Sequence, residues 1–273
     1  MTKNTNDNTN TSRRTLLAAG ASLGAAAAAS VSSAQAQAEP RTFVLVHGSW
    51  HGGWCWRRVV DRLEKRGHKV FTPTLTGLGE RVHLLNAAVD LDTHVTDVVN
   101  LIKYEGLQNI VLAGHSYAGS IITGVAEQVL PAIGSIVFID AFLPGNGDTM
   151  LSMTTEALRA ASLAAKAKGD ISRPIVPAAA FRVNEKDQAW VNSKLTPQPL
   201  GPSFTPIKYT GARDKVAKKT YIRASDYPQP AFDKWLAQCK ADPSWRTHGV
   251  AGCGHDIMVD KPDELTELLI GAA

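Results

Sequence analysis

The stretch Ile110–Gly119 (IVLAGHSYAG) constrains the fold of this chain more than any other. Its apolar start predicts a short buried strand, its glycine-flanked centre predicts a tight bend, and the apolar run Ser120–Leu130 predicts a helix. A serine held between a strand and a helix by small neighbours is typical of a nucleophile elbow, which would lift the Ser116 hydroxyl clear of a sheet. Ala118 stands where the elbow pattern has its second glycine and Gly119 follows it, a mild departure because alanine is also small.

Strand patterns alternate with amphipathic helix patterns along the rest of the chain. The predicted strands are 42–47, 68–72, 109–113, 134–140, 218–224 and 245–250, and the predicted helices include 55–66, 93–105, 229–240 and 262–269. This alternation predicts an α/β fold with a mostly parallel, doubly wound sheet and a ligand site at the carboxyl ends of its strands. Alanine-rich and proline-dotted pieces interrupt the alternation and predict an inserted lid at about 143–214. We expect residues 39–273 to form one domain.

Residues 1–38 carry the pattern of an export signal. A polar start is followed by Arg13 and Arg14, two leucines, an alanine-rich run and an Ala-x-Ala site, which resembles a cleaved twin-arginine signal. We therefore expect an exported protein, periplasmic or secreted. The apolar run is too short to favour a stable membrane anchor.

Charge and cysteine usage exclude several other classes. Removing residues 1–38 takes away three basic and one acidic residue, so the formal charge falls from +4 to +2 (26 basic minus 24 acidic) and no basic cluster suggests a nucleic acid partner. Cys55, Cys239 and Cys253 are an odd number of cysteines. Cys239 and Cys253 could form a disulfide in an oxidising compartment, although separate buried thiols are favoured. The histidines are scattered without metal-ligand spacing, so no metal is predicted.

A serine nucleophile needs a base and an acid that holds the base. His255 lies in a glycine-rich loop just after the last predicted strand, and it is our candidate base. The chain order serine, acid, histidine favours Asp226, which follows the preceding strand, as the acid. Asp140, at the end of the strand after the elbow, is the alternative, since some enzymes of this architecture place the acid there.

Other polar residues near this predicted site receive more ordinary interpretations. Asp256 and Asp260 are expected to be solvated loop carboxylates, and His115 a packing residue that points away from the serine. An oxyanion hole needs two backbone N–H groups. Tyr117, after the nucleophile, and Ser49, in the loop after the first strand, are the predicted donors.

The substrate pocket is predicted to lie beside that same first loop. Trp54 and Trp56 could line this pocket, but packing beneath the loop explains them at least as well. The candidate pocket residues are His47, Gly48, Trp50 and Phe142.

Several motifs together resemble one branch of a known superfamily. They are Phe43-Val44-Leu45-Val46-His47-Gly48-x-x-His51-Gly52-x-Trp54-x-Trp56, Gly114-His115-Ser116, Asp226, and Gly254-His255. The chain resembles α/β-hydrolases of the branch containing plant hydroxynitrile lyases and methyl esterases, together with related bacterial carboxylesterases. The resemblance covers residues 42–270 in outline and the lid only weakly.

The resemblance implies a mechanism without a cofactor. It makes Ser116 the nucleophile, Asp226 the acid and His255 the base, with oxyanion donors at Ser49 and Tyr117. The lyases carry a lysine directly after the catalytic histidine and a threonine after the first-strand histidine. This chain has Asp256 and Gly48 there, which favours hydrolysis over cyanohydrin cleavage.

We therefore expect a serine carboxylesterase that hydrolyses a small, fairly hydrophobic ester through an acyl-enzyme. The alternatives are a hydroxynitrile lyase-like or other cofactor-free reaction on the same residues, and a non-catalytic protein that binds a small ligand.

Overall fold

The computed structural model describes residues 39–273. The predicted export signal at 1–38 lies outside the described residues and stays a prediction. Among the described residues, no helix has the length and apolar character that a membrane crossing requires.

Six parallel strands form the central sheet. The strands of the described part are β1 (Thr42–Val46), β2 (Lys69–Phe71), β3 (Ile110–His115), β4 (Ile133–Ile139), β5 (Ser172–Arg173), β6 (Gln198–Pro199), β7 (Lys218–Ala224) and β8 (Trp245–Val250). The sheet order is β2-β1-β3-β4-β7-β8, and β5 and β6 form a separate antiparallel pair. Because all six strands run the same way, the loops after β1, β3, β4, β7 and β8 emerge at one edge.

Helices follow most strands. They are α1 (Arg57–Glu64), α2 (Leu91–Tyr104), α3 (Ala118–Val129), α4 (Met150–Met153), α5 (Glu156–Ala167), α6 (Glu185–Asn192), α7 (Pro230–Ala241), α8 (Ile257–Asp260) and α9 (Pro262–Ala272). The start of α2 is set by a capping box, in which the Asp90 carboxylate accepts from Thr93 N and the Thr93 side chain bonds back to Asp90 N. Proline occupies the first turn of both α7 and α9, where its fixed φ favours helix initiation.

Apolar residues cover both faces of the sheet. Along β1, Phe43 and Leu45 belong to one buried cluster, whereas Val44 and Val46 belong to the other. Successive strand side chains point to opposite faces, so this nearly continuous apolar run is buried on both sides. The fold prediction is confirmed: the chain has a mostly parallel α/β sheet with flanking helices.

Residues 143–214, which we term the lid segment, connect β4 to β7 and contain α4, α5, α6 and the β5–β6 pair. Three hydrogen bonds join this segment to Trp50 in the loop after β1. Trp50 N donates to Gln198 Oε1 (2.9 Å), Thr196 N donates to Trp50 O (3.0 Å), and Trp50 Nε1 donates to Pro174 O (2.9 Å). These hydrogen bonds fix the position of the loop after β1 relative to the lid segment.

The three cysteines are buried and form no disulfide in the described part of the chain. Burial raises the pKa of the Cys239 and Cys253 thiols to about 12. Protonated, buried thiols of this kind behave as small apolar side chains.

Candidate active site

Ser116 lies between β3 and α3 in a left-handed backbone conformation, with φ of 56°. Such a φ is uncommon for a residue with a side chain and persists where surrounding contacts hold it. Here Ser116 N donates to Ile139 O (3.1 Å), and Ser116 O accepts from the backbone N–H groups of Gly119 and Phe142 (3.1 Å each). The bend is thus held by the end of the neighbouring strand β4 and the chain that follows it.

Two glycines make room for this bend. A Cβ on Gly119 would lie 1.9 Å from the Phe142 carbonyl oxygen, and a Cβ on Gly48 would lie 2.9 Å from the Ser116 Cβ. Neither position can carry a side chain without moving backbone or the serine itself. Gly119 therefore has a packing reason to be glycine, although it stands one residue later than the elbow pattern predicts.

His255 lies in the loop after β8, and its ring is held on several sides. Its backbone N donates to Phe181 O (2.8 Å), and its carbonyl accepts from His115 Nε2 (3.0 Å). The ring stacks on Tyr227 with 4.7 Å between ring centroids, and it packs near Phe232 at 5.6 Å. The His115 ring packs against the His255 ring with 4.4 Å between centroids, in keeping with a packing role.

The carboxylate that holds the His255 ring belongs to Asp140. His255 Nδ1 lies 2.5 Å from Asp140 Oδ2, and Asp140 is fully buried directly after β4. The other oxygen, Oδ1, accepts from Arg223 Nη1 (2.7 Å) and Ala224 N (3.0 Å). The carboxylate is therefore bonded at both oxygens, which fixes its plane. Within residues 39–273, His255 Nε2 has no hydrogen-bond partner.

Arg223 is a partner of Asp140 that the sequence analysis missed. It is 2% exposed, and Nε also donates to Asp233 Oδ1 (2.9 Å). Burial alone would lower the pKa of Arg223, but the charges of Asp140 and Asp233 outweigh it and raise the pKa. The sequence could not identify Arg223 as this partner, because a basic residue near the end of a strand can face either side of the sheet. Only the direction of its side chain decides whether it meets the carboxylate.

The prediction that Asp226 holds His255 is wrong in this structure. The Asp226 side chain is exposed, and its Oδ2 accepts from Gly252 N (2.6 Å). Asp226 thus caps the start of the loop that carries His255 without reaching the ring. Asp140 and Asp226 follow the neighbouring strands β4 and β7, so their backbones lie at the same edge of the sheet. The two residues differ in the direction of their side chains, and only that of Asp140 reaches the His255 ring.

Asp256 is also placed differently from the prediction of a solvated carboxylate. It is fully buried, and its Oδ2 lies 2.9 Å from His51 Nε2, while His51 Nδ1 donates to Ser49 O (2.7 Å). Burial would raise the pKa of Asp256, but the charge and hydrogen bond of His51 lower it to about 2. Asp260 is half-buried and accepts from Gly254 N (2.9 Å), so it too is not simply solvated.

A cavity of about 240 Å³ opens at this edge of the sheet. Ser116 and His255 both line it, and so do the predicted pocket residues Trp50 and Phe142. The remaining lining residues are Ser49, Met150, Thr154, Leu158, Arg173, Val176, Ala180, Phe181, Tyr227, Gln229 and Phe232. The wall is mainly apolar and aromatic, which suits a small ligand with few polar groups.

His47 and Gly48 do not line this cavity, contrary to the prediction. His47 is fully buried, donates from Nδ1 to Gly48 O (2.8 Å), and accepts from Leu75 N at Nε2 (3.1 Å). Burial lowers the pKa of His47 to about 3, so the ring is neutral. Gly48 packs against Ser116 beneath the cavity floor.

Two backbone N–H groups are available beside the serine. Tyr117 N stands at the start of α3, and Ser49 lies in the loop after β1 and lines the cavity. Neither N–H donates to a backbone or side-chain acceptor among residues 39–273. The Tyr117 side chain points away from this position, because its hydroxyl bonds to His94 Nδ1 (3.0 Å) in the core.

Comparison with known proteins agrees with this architecture. The sequence pattern of the Alpha/beta hydrolase family matches residues 43–268, and the chain belongs to this family. A carbendazim hydrolyzing esterase from Nocardioides sp. (strain SG-4G) is 40% identical over 237 residues, which cover 83% of this chain and 97% of that protein.

More distant relatives extend the same relationship. Methylesterase 10 of Arabidopsis thaliana is 26% identical over 252 residues, covering 83% of this chain and 90% of that protein. A solved extracellular α/β-hydrolase from a Paenibacillus species has a TM-score of 0.74 and 28% identity, covering 86% of this chain and 99% of that one. Because the chain belongs to this family and is 40% identical to an esterase, it is a carboxylic ester hydrolase.

Proposed function

We propose that the protein is a serine carboxylesterase in which Ser116, His255 and Asp140 act together on a small, fairly hydrophobic ester. The observation that carries the proposal is the buried His255 Nδ1–Asp140 Oδ2 contact (2.5 Å), on a histidine that shares a cavity with the strained Ser116. A carboxylate on one ring nitrogen sets the tautomer that leaves the other nitrogen able to accept a proton.

The proposed reaction begins when Ser116 Oγ attacks the ester carbonyl carbon and His255 Nε2 takes the hydroxyl proton. The carbonyl π electrons move to oxygen, and the backbone N–H groups of Ser49 and Tyr117 donate to the resulting oxyanion. Collapse breaks the bond to the leaving oxygen, which receives the proton from His255 and departs as the alcohol. An acyl-enzyme remains on Ser116.

Water then completes the cycle by the same route. His255 takes a proton from water as its oxygen attacks the acyl carbon, and a second oxyanion forms beside Ser49 and Tyr117. Collapse returns the proton to Ser116 Oγ and releases the carboxylic acid. Asp140 holds His255 Nδ1 throughout and stabilises the imidazolium that forms twice per turnover.

The cavity wall supports the choice of substrate class. Trp50, Phe142 and Phe232 bound a space of about 240 Å³, which is the size of a small acyl or alcohol group. Carbendazim, which the Nocardioides relative is named for hydrolysing, belongs in the first panel of test compounds beside simple aryl and alkyl esters.

A direct test compares wild type with Ser116→Ala and with Ser225→Ala, a serine on the loop after β7 that does not line the cavity. Ser116→Ala is expected to lower kcat for p-nitrophenyl butyrate on the order of 10⁶-fold, because the nucleophile and base act as a unit. Ser225→Ala is expected to retain activity.

Covalent labelling separates the competing functions. A fluorophosphonate probe should label wild type and Ser225→Ala but not Ser116→Ala. Cleavage of mandelonitrile without ester hydrolysis would favour a lyase, and binding of small esters without labelling or turnover would favour a non-catalytic protein.

A further inference from the structure

One charged side chain in the cavity has no counter-ion among residues 39–273. Arg173, at the end of β5 in the lid segment, lines the same cavity as Ser116 and His255. Its Nε is buried without a hydrogen-bond partner, and its guanidinium makes no hydrogen bond or ion pair with any residue from 39 to 273. No aspartate or glutamate is among the residues that line the cavity.

Arg173 is half-buried, and its Nε is shielded from solvent without an acceptor. This is unusual, because a guanidinium carries five N–H donors and a buried donor almost always finds an acceptor. Burial lowers the pKa of Arg173 to about 10, so the group still carries its charge at neutral pH. The cavity wall therefore holds a positive charge that no carboxylate of the lining offsets. Leaving such a group unpaired costs free energy that a ligand with a complementary group would recover.

Packing alone does not explain the position of Arg173. The guanidinium carbon lies 4.9 Å from the centroid of the Trp50 ring, a cation–π contact. Such a contact is an attraction between the charge and the ring, and it gives the guanidinium N–H groups no hydrogen-bond acceptor. Trp50 itself is already held by Gln198 Oε1 and Pro174 O, so it does not need Arg173 to keep its place.

We propose that Arg173 forms a subsite for a carboxylate on the substrate, so that the preferred substrates are esters whose acyl or alcohol part carries a second, free carboxylate. The guanidinium presents two parallel N–H groups that match a carboxylate in a bidentate contact. The cation–π contact with Trp50 holds the guanidinium at the cavity wall. This inference rests on the proposed function of the site, and it names the substrate class for that function.

The test uses three p-nitrophenyl esters of similar size. Their acyl groups are succinate, which ends in a carboxylate, succinamate, which ends in a neutral amide, and 4-methylpentanoate, which ends in a branched alkyl group. A second series of phenyl acetates carries a carboxylate, a carboxamide or an isopropyl group at the 3-position of the ring, so that either side of the ester can reach Arg173. The proteins are wild type, Arg173→Met, Arg173→Lys and the control Arg159→Met. Arg159 lies on α5 of the lid segment and donates to Leu151 O, outside the cavity lining.

In at least one series, wild type is expected to have a kcat/KM about tenfold or more higher for the carboxylate ester than for the alkyl ester, since a charge-assisted hydrogen bond contributes about 1.5–3 kcal/mol. Arg173→Met should lose this preference, so that its ratio of kcat/KM between the carboxylate ester and the alkyl ester falls to about one, and Arg173→Lys should keep part of it. Arg159→Met should behave as wild type. The inference is overturned if neither series shows the preference, if the amide ester matches the carboxylate ester, or if Arg173→Met keeps the preference.

A binding measurement separates this inference from the proposed function. Ser116→Ala, titrated by calorimetry with monomethyl glutarate and with methyl 5-methylhexanoate, should bind the first more tightly, and the added Arg173→Met change should remove the difference. If Ser116→Ala binds the two compounds equally tightly, the carboxylate subsite is refuted, while the proposed nucleophile is not affected. Retention of hydrolysis by Ser116→Ala would refute the proposed nucleophile while leaving the subsite to be judged by binding.

Discussion

Two buried histidine–aspartate pairs lie close together in this protein, and only one of them lines the cavity. In the first pair, His255 Nδ1 meets Asp140 at 2.5 Å, and in the second, His51 Nε2 meets Asp256 at 2.9 Å. The chemical groups are the same. The difference lies in the second ring nitrogen. In His255 this nitrogen has no hydrogen-bond partner in the described part of the chain, whereas in His51 it donates to Ser49 O.

That difference determines what each ring can do. Both nitrogens of His51 face acceptors, a carboxylate and a carbonyl, so these contacts favour the form of the ring that carries a proton on each nitrogen. Burial would lower the pKa of His51, but the charge of Asp256 and the two hydrogen bonds raise it. His51 therefore has no nitrogen with which to accept a proton. Its pair with Asp256 instead joins the loop that carries Ser49 to the loop that carries His255.

The largest expected effect comes from breaking the first pair. Asp140→Asn should lower kcat for p-nitrophenyl butyrate on the order of 10⁴-fold, because the amide keeps the shape of the carboxylate but does not stabilise the imidazolium. Steady-state kinetics with a circular dichroism spectrum as the folding control would measure this. A kcat near that of wild type would mean that His255 works without Asp140.

Breaking the second pair should affect stability more than chemistry. Asp256→Asn leaves the buried His51 without its counter-ion, and removal of one partner of a buried pair costs about 3–5 kcal/mol of unfolding free energy. Urea denaturation of both proteins at several pH values would measure the difference. Loss of activity with unchanged stability would contradict the structural role given to this pair.

The pH dependence of that difference sharpens the test. The pKa of His51 is raised above 6.5 in the folded protein. The contribution of His51 to the free energy of unfolding is therefore fully present below pH 6.5 and is lost as pH rises through the raised pKa. The pKa of Asp256 falls from 3.8 to about 2, so its contribution is present above 3.8 and is lost as pH falls toward 2. The stability gap between wild type and Asp256→Asn should therefore be widest between about pH 4 and pH 6.5.

The smallest effect is expected at Asp226. Asp226→Asn changes an exposed side chain that bonds only to the loop backbone at Gly252 N, and an amide oxygen can accept the same N–H. We expect kcat within about threefold of wild type, as for surface substitutions worth about 0.5 kcal/mol. A decrease comparable with that of Asp140→Asn would return the role of acid to Asp226.

Much of the fold could be predicted because apolar periodicity is a local property. The predicted strands 218–224 and 245–250 coincide with β7 and β8, and the elbow strand and its helix differ from prediction by a few residues at their ends. The short helix α8 was missed, because its four residues carry too little pattern to distinguish them from the loop after β8.

The site was harder to predict than the fold. Ser116 and His255 were found because each stands at a strand end beside glycines. The choice between Asp140 and Asp226 depended on chain order, which does not report side-chain direction. Asp256 was misjudged because its partner, His51, is 205 residues away in the sequence.

The sequence by itself determined the alternation of strands and helices, the bend at Ser116 and the edge of the sheet at which polar residues gather. These follow from the period of apolar residues and from the conformations that glycine permits, both of which act over a few neighbouring residues. Only the tertiary structure decided that Asp140 holds His255, that Asp256 pairs with His51, and that Arg173 faces the cavity with no counter-ion among the described residues 39–273. Each of these depends on the direction of side chains that meet from distant parts of the chain, and local pattern carries no information about direction.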